Sequence, residues 1–158
     1  MAARRYFEDY EIGEVFKGAN GGEGHTVTEA DIAIYAATAA DNAAIHLNEE
    51  FSKKSVWKTR IAQGVLNFAI SEGLLMRTSI FETIDEALFV SIKDVRYLNP
   101  VLIGDTLTAD FEVLDKQPDP ERPGYGIIAL SRVVKNQRGE TVLTGETASR
   151  VRMKSHKR

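Results

Sequence analysis

The sequence contains no cysteine. That excludes disulfides, zinc–thiolate sites and a thiol nucleophile, and it fits a reducing, cytoplasmic compartment. Positive charge is not in excess either. The formal net charge is -3, which argues against a nucleic-acid partner. No apolar run approaches the roughly 20 residues of a membrane-spanning helix, so no membrane partner is expected. The opening residues, MAARRYFEDYEIGE, lack an apolar core and turn acidic early, so they do not read as a secretory signal. Histidine is scarce, with three in the chain. No metal site is expected. His46 with Glu49 and Glu50 reads more simply as a loop followed by a solvated helix start.

What is present suits a soluble domain. The 158 residues are 43% hydrophobic and 27% charged, enough for one core spanning residues 1–158. There is no internal repeat and no dividing linker. Residues 19–24 (ANGGEG) read as a flexible turn, and Lys154 to Arg158 (KSHKR) as a frayed basic tail.

The first helix should begin at Thr28, whose hydroxyl can cap it, with Asp31 at the third helical position. Ile32, Tyr35, Ala36 and Ala39 recur at helical spacing, and the helix should end near Asp41. Asn48 reads as the cap of a short second helix. Arg60 to Met76 (RIAQGVLNFAISEGLLM) predicts the most apolar helix, wrapped by other structure nearly all round. Beyond Glu86 the period becomes two. Alternation slips between Ile92 and Val95, as a β-bulge at Lys93-Asp94 would cause. Thr106 to Val113 should turn Leu107, Ala109, Phe111 and Val113 inward. Residues 116–124 read as a loop. Tyr125 to Val134 and Thr141 to Met153 read as strands joined by a hairpin turn at Asn136 to Glu140.

Successive hairpin strands are antiparallel. A curved antiparallel sheet wrapped around one apolar helix satisfies both periodicities. The expected class is therefore α+β, in a hot-dog arrangement. Its free sheet edges predict a homodimer, with higher oligomers open.

Chemistry must then come from Asp, Glu, His, Ser or backbone. No serine sits in a G-x-S-x-G setting. Asp41 and His46 lie five residues apart in AADNAAIHLNEEF. Curled into one cavity, the carboxylate would orient the imidazole, raise its pKa and help hold a water. The alternative is a helix terminator beside a loop histidine satisfied by backbone. Gly64, near the start of the apolar helix, would let a ligand approach backbone N–H groups that favour negative charge. The alternative there is close helix–sheet packing.

Asp41-Asn42-Ala43-Ala44-Ile45-His46-Leu47-Asn48, followed by Ile61-Ala62-Gln63-Gly64-Val65-Leu66, resembles the two motifs of the MaoC-like dehydratases. These are the hot-dog (R)-specific enoyl-CoA hydratases, with G-D-x-N-P-x-H-x-D and then I-x-H-G-M-L. Tyr6 to Gly13, Thr26 to Asp31, Arg96 to Val101 and Gly104 to Leu107 also resemble the family's segments in order, so the likeness covers nearly the whole chain.

The resemblance implies hydration of a trans-2-enoyl-CoA, or dehydration of an (R)-3-hydroxyacyl-CoA, in fatty acid metabolism. His46 would be the base and Asp41 its acid partner, with the Gly64 amide polarising the thioester carbonyl. It implies no cofactor, since the CoA or acyl carrier protein thioester is the substrate. Lys58, Arg60 and Arg96 are candidates to meet CoA phosphates. The departures are Ala43-Ala44 for the family's Asn-Pro, Gln63 for its His, and Glu72 for a central-helix serine. Two alanines neither stiffen nor pin the loop, and would let the first helix run past Asp41. Asn42 and Gln63 are the expected supporting residues. Two other activities share this scaffold: a thioesterase using Glu72, and a non-catalytic acyl-thioester binder.

Overall fold

The capping signal at Thr28 acts as its spacing predicts. In the computed structural model, which describes residues 5–17, 24–78, 80–81 and 87–156, helix α1 spans Glu29–Ala39. The Thr28 hydroxyl accepts from the Asp31 N–H at 3.2 Å, and the Asp31 carboxylate accepts from the Thr28 N–H at 2.7 Å. The two ends of this capping box satisfy each other. The helix stops at Ala40, which adopts a left-handed φ of 55°. It therefore does not run on through Ala43-Ala44. A left-handed residue cannot continue a right-handed helix, so the stop lies upstream of the alanines.

Two single-turn helices follow, α2 (Ala44–Leu47) and α3 (Glu49–Ser52). His46 thus sits on a helical turn rather than in a loop. The Asn48 side chain caps α3, accepting from the Phe51 N–H at 2.9 Å. The apolar helix α4 spans Gly64–Met76, starting later than its sequence predicts. The Ala62 N–H donates to the Val101 carbonyl at 2.8 Å, and Ile61 bridges Leu102. Those bonds hold the preceding residues extended, and Gln63 becomes the cap.

Six strands form one antiparallel sheet: β1 (Val15–Lys17), β2 (His25–Thr26), β3 (Ala87–Tyr97), β4 (Thr106–Pro118), β5 (Tyr125–Lys135) and β6 (Thr141–Arg152). Their order is β1-β4-β5-β6-β3, with β2 on β4. Leu107, Ala109, Phe111 and Val113 of β4 point inward as expected, beside Ile128, Leu130 and Val134 of β5. They pack with Leu66, Phe68, Ile70, Leu74 and Leu75 of α4 in one core. This is the expected hot-dog architecture.

Four details differ from expectation. β4 continues to Pro118, with Gln117 opposite Ile127. The ladder absorbs an irregularity at Leu114, and proline is tolerated as its last residue. The bulge in β3 is present, with Asp94 at φ 51° and a register skip between Lys93 and Arg96, but a second skip follows Phe89. As an edge strand bonded only to β6 among the described residues, β3 leaves Leu88, Phe89, Val90 and Ile92 exposed within one chain. Helix α4 is likewise not covered all round: Val65, Ala69, Gly73 and Met76 form an open stripe.

The tail also departs from fraying. Lys154–His156 form a 3-10 turn, the Lys154 N–H donates to Glu8 at 3.0 Å, and its ammonium pairs with Asp9. The remaining tail residues 157–158, and residues 19–23 of the expected glycine-rich turn, lie outside the described residues. Among the described residues no helix is long and apolar enough to cross a membrane.

Candidate active site

The bonds that delay α4 also build a pocket. Helix α2 is laced to the extended segment before α4. The Ile61 N–H donates to the Ile45 carbonyl at 3.4 Å, and His46 Nδ1 lies 2.7 Å from the Ile61 carbonyl. A carbonyl can only accept, so Nδ1 carries the proton. A neutral ring then presents Nε2 as an acceptor. His46, Trp57, Gly64, Asn67 and Tyr97 line one cavity of about 340 Å³, together with residues 98–101.

Gly64 is the first residue of α4, where a backbone N–H has no partner within the helix. A Cβ at this position would lie 3.2 Å from the Tyr97 ring. Glycine thus lets the tyrosine close over the helix start. Burial, then the neighbouring Tyr35, pushes the Tyr97 phenol up, so it remains a neutral hydroxyl at neutral pH.

The other residues singled out by sequence fall into distinct places. Asp41 is half-buried at the edge of this region, outside the cavity lining. Its Oδ1 makes a long 3.5 Å contact with the Ala43 N–H. Among the described residues, the hydrogen bonds and ion pairs include none between Asp41 and His46. Asn42 is exposed, and its backbone N–H donates to the Ala40 carbonyl at 3.2 Å. Gln63 is 1% exposed and lies behind the cavity wall. Its Nε2 donates to the Ile32 carbonyl at 3.3 Å, tying α4 to α1, while its Oε1 is unpartnered.

Arg60 is held by two carboxylates, Glu29 at 2.8 Å and Glu49 at 2.9 Å, which push its pKa up. Arg96 is exposed and borders a separate depression between β3 and β6. Lys58 is exposed, on a left-handed residue with φ 60°. The structure thus brings His46 and Gly64 to one cavity, and keeps Arg60 and Arg96 out of it.

Glu72 belongs to a different environment. Its carboxylate pairs with Arg132, whose side chain is fully buried beneath α4. Arg132 also donates to Ser71 Oγ at 2.7 Å and Thr147 Oγ1 at 3.0 Å, and stacks 4.4 Å from the Phe68 ring. Glu72 borders a second, mainly apolar space of about 280 Å³, with Met76, Phe81 and Phe89.

Sequence reasoning missed Asn67, Trp57 and Tyr97. Asn67 carried a readable signal: it is a carboxamide three residues after Gly64, on the buried face of an apolar helix. Trp57 and Tyr97 carried none, because only the tertiary fold brings them to the pocket.

Comparison with known proteins agrees with this fold. The family model described as the MaoC like domain matches residues 14–125. An (R)-specific enoyl-CoA hydratase of Rhodospirillum rubrum is 29% identical over 141 residues, covering 89% of this chain and 88% of that protein. Among solved structures, a monoamine oxidase regulatory protein from Archaeoglobus fulgidus is 38% identical, with a TM-score of 0.85 and 95% of each chain covered. A MaoC-like dehydratase from Rhodospirillum rubrum is 27% identical, with a TM-score of 0.80, covering 95% of this chain and 98% of that one. The model match spans well over half of the sequence, and the chain belongs to the MaoC-like domain family.

Proposed function

We propose that this protein hydrates a trans-2-enoyl thioester, or dehydrates the matching (R)-3-hydroxyacyl thioester, in the cytoplasm. The observation that carries the reading is the bond from His46 Nδ1 to the Ile61 carbonyl. It leaves Nε2 as the basic atom in a cavity that also contains the start of α4. The likeness to an (R)-specific enoyl-CoA hydratase supports the same chemistry.

In the forward direction, His46 Nε2 takes a proton from water. The water oxygen bonds to C3 of the enoyl group. The double-bond electrons move towards the thioester, building an enolate whose oxygen is stabilised by the Gly64 N–H. Asp41 completes the pair in its protonated form: it delivers its proton to C2 and is recharged by the proton His46 took from the water, so that one water is added overall. No cofactor is required. Lys58 and Arg96, both exposed, are available to CoA phosphates, whereas Arg60 is already held by two acids. Asn42 and Gln63 support the loop and the start of α4.

A second copy of the chain would cover the apolar edge of β3 and the open stripe of α4, making a homodimer. Unpaired edges of this kind are commonly closed by association. Sedimentation at about twice the 17.5 kDa chain mass is the expected result.

Crotonyl-CoA tests the activity. Loss of enoyl absorbance without release of free thiol supports hydration. Thiol release would favour the thioesterase, and binding without either would favour a non-catalytic binder. The thioesterase lacks support from Glu72, whose carboxylate is engaged by Arg132.

A further inference from the structure

Asn67 is 5% exposed, its Oδ1 is sealed from solvent without a hydrogen-bond partner, and it lines the cavity shared by His46 and Gly64. A buried carboxamide left unpaired is costly and uncommon, and it calls for a reason. Its amide group has no protein partner among the described residues, so the Nδ2 donors are free for whatever occupies the cavity. Side chains on a helix lean towards its N-terminus and cover the preceding turn. Asn67 is one turn beyond Gly64, so its Cα–Cβ bond is directed back towards the helix start.

We propose that Asn67 is a further catalytic residue. Its Nδ2 donates a hydrogen bond to the thioester carbonyl oxygen, beside the Gly64 N–H, and the bond strengthens as that oxygen becomes enolate-like. Two donors then share the developing charge, one from backbone and one from a side chain the family motif does not specify. The inference rests on the hydration reading for its chemistry but on the cavity alone for its contact.

Two measurements separate those layers. With crotonyl-CoA, Asn67→Ala should lower kcat on the order of 10²-fold, the usual loss of one oxyanion donor. KM should stay within about threefold, as for an interaction made mainly in the transition state. Asn67→Leu, of similar size, should be equally inactive yet melt about 2–4 °C higher, because it removes an unpaired buried polar group. A merely structural asparagine would melt lower when replaced.

The second measurement is isotope-edited infrared spectroscopy of bound butyryl-CoA labelled at the carbonyl, which cannot react. The carbonyl band should lie below its free frequency in the wild type and move back towards it in Asn67→Ala. Unchanged kcat together with an unchanged band would overturn the proposal. If crotonyl-CoA is not hydrated but the band still depends on Asn67, hydration falls and the contact stands. If hydration proceeds with no dependence on Asn67, the contact falls alone.

Discussion

Helix α4 carries two polar clusters about one turn apart, and they are built in opposite ways. At its start, Gln63 and Asn67 each hold a sealed oxygen without a partner, beside an open cavity. In its middle, Ser71 and Glu72 are engaged by Arg132, whose other contacts are Thr147 and the Phe68 ring. Only the Arg132 Nε is left over. The contrast sets a cluster largely engaged within the fold against one left partly unpaired at the helix start. A paired buried charge is costly to break, whereas an unpaired buried amide already costs stability and is tolerated when it does something else.

The contrast can be broken from either side. His46→Ala, at the open end, should lower kcat for crotonyl-CoA hydration by about 10²–10⁴-fold, the range for a general base. Its stability should change by no more than about 1 kcal/mol, for one lost hydrogen bond. Stopped-flow absorbance and urea melts read the two effects. A large stability loss with intact turnover would reverse the assignment. Arg132→Ala, in the paired cluster, should do the opposite. Removing one partner of a buried pair costs about 3–5 kcal/mol, visible as a lower urea midpoint, with kcat of the remaining folded protein little altered.

Asp105, outside the cavity lining, sharpens the contrast. It is 3% exposed, accepts from the Leu102 N–H at 3.0 Å and from Gln137 at 3.0 Å, and pairs with Arg138 at 2.7 Å. Burial pushes its carboxyl up, but Arg138, the Leu102 N–H and Gln137 outweigh burial and hold it below the usual range. A lowered pKa in the folded state means this stability is present at neutral pH. It is lost as pH falls below the unfolded value near 3.8 and through the folded one. Asp105→Asn should cost about 1–3 kcal/mol at pH 7 and flatten the acid limb of the melting profile. Gly64→Ala should have the smallest effect. The new methyl would press the Tyr97 ring at 3.2 Å, lowering kcat about tenfold, while alanine's helix preference keeps stability within about 1 kcal/mol.

Much of this was legible before the fold was known, because it is local. The capping box at Thr28, the inward face of β4 and the bulge at Asp94 are set by neighbours in sequence. The start of α4 was not, since the bonds that hold residues 61–62 extended come from Val101 and Leu102, far along the chain. That His46 and Gly64 would share a site was expected from the resemblance to the MaoC-like motifs, not from spacing. The involvement of Arg60 with Glu29 and Glu49 could not be anticipated, because it depends on where α1 and α3 come to lie. Glu72 looked available in sequence for the same reason: its partner Arg132 is sixty residues away.

 Ala40, at φ 55°, takes a conformation that costs an L-residue roughly 1–2 kcal/mol, and it ends α1 before the sequence reaches the site. The stop signal therefore does not depend on residues 43 and 44. Those two positions, exposed at the cap and first residue of α2, are released from that punctuation. An engineer could install asparagine or proline there while the helix boundary upstream stays where it is.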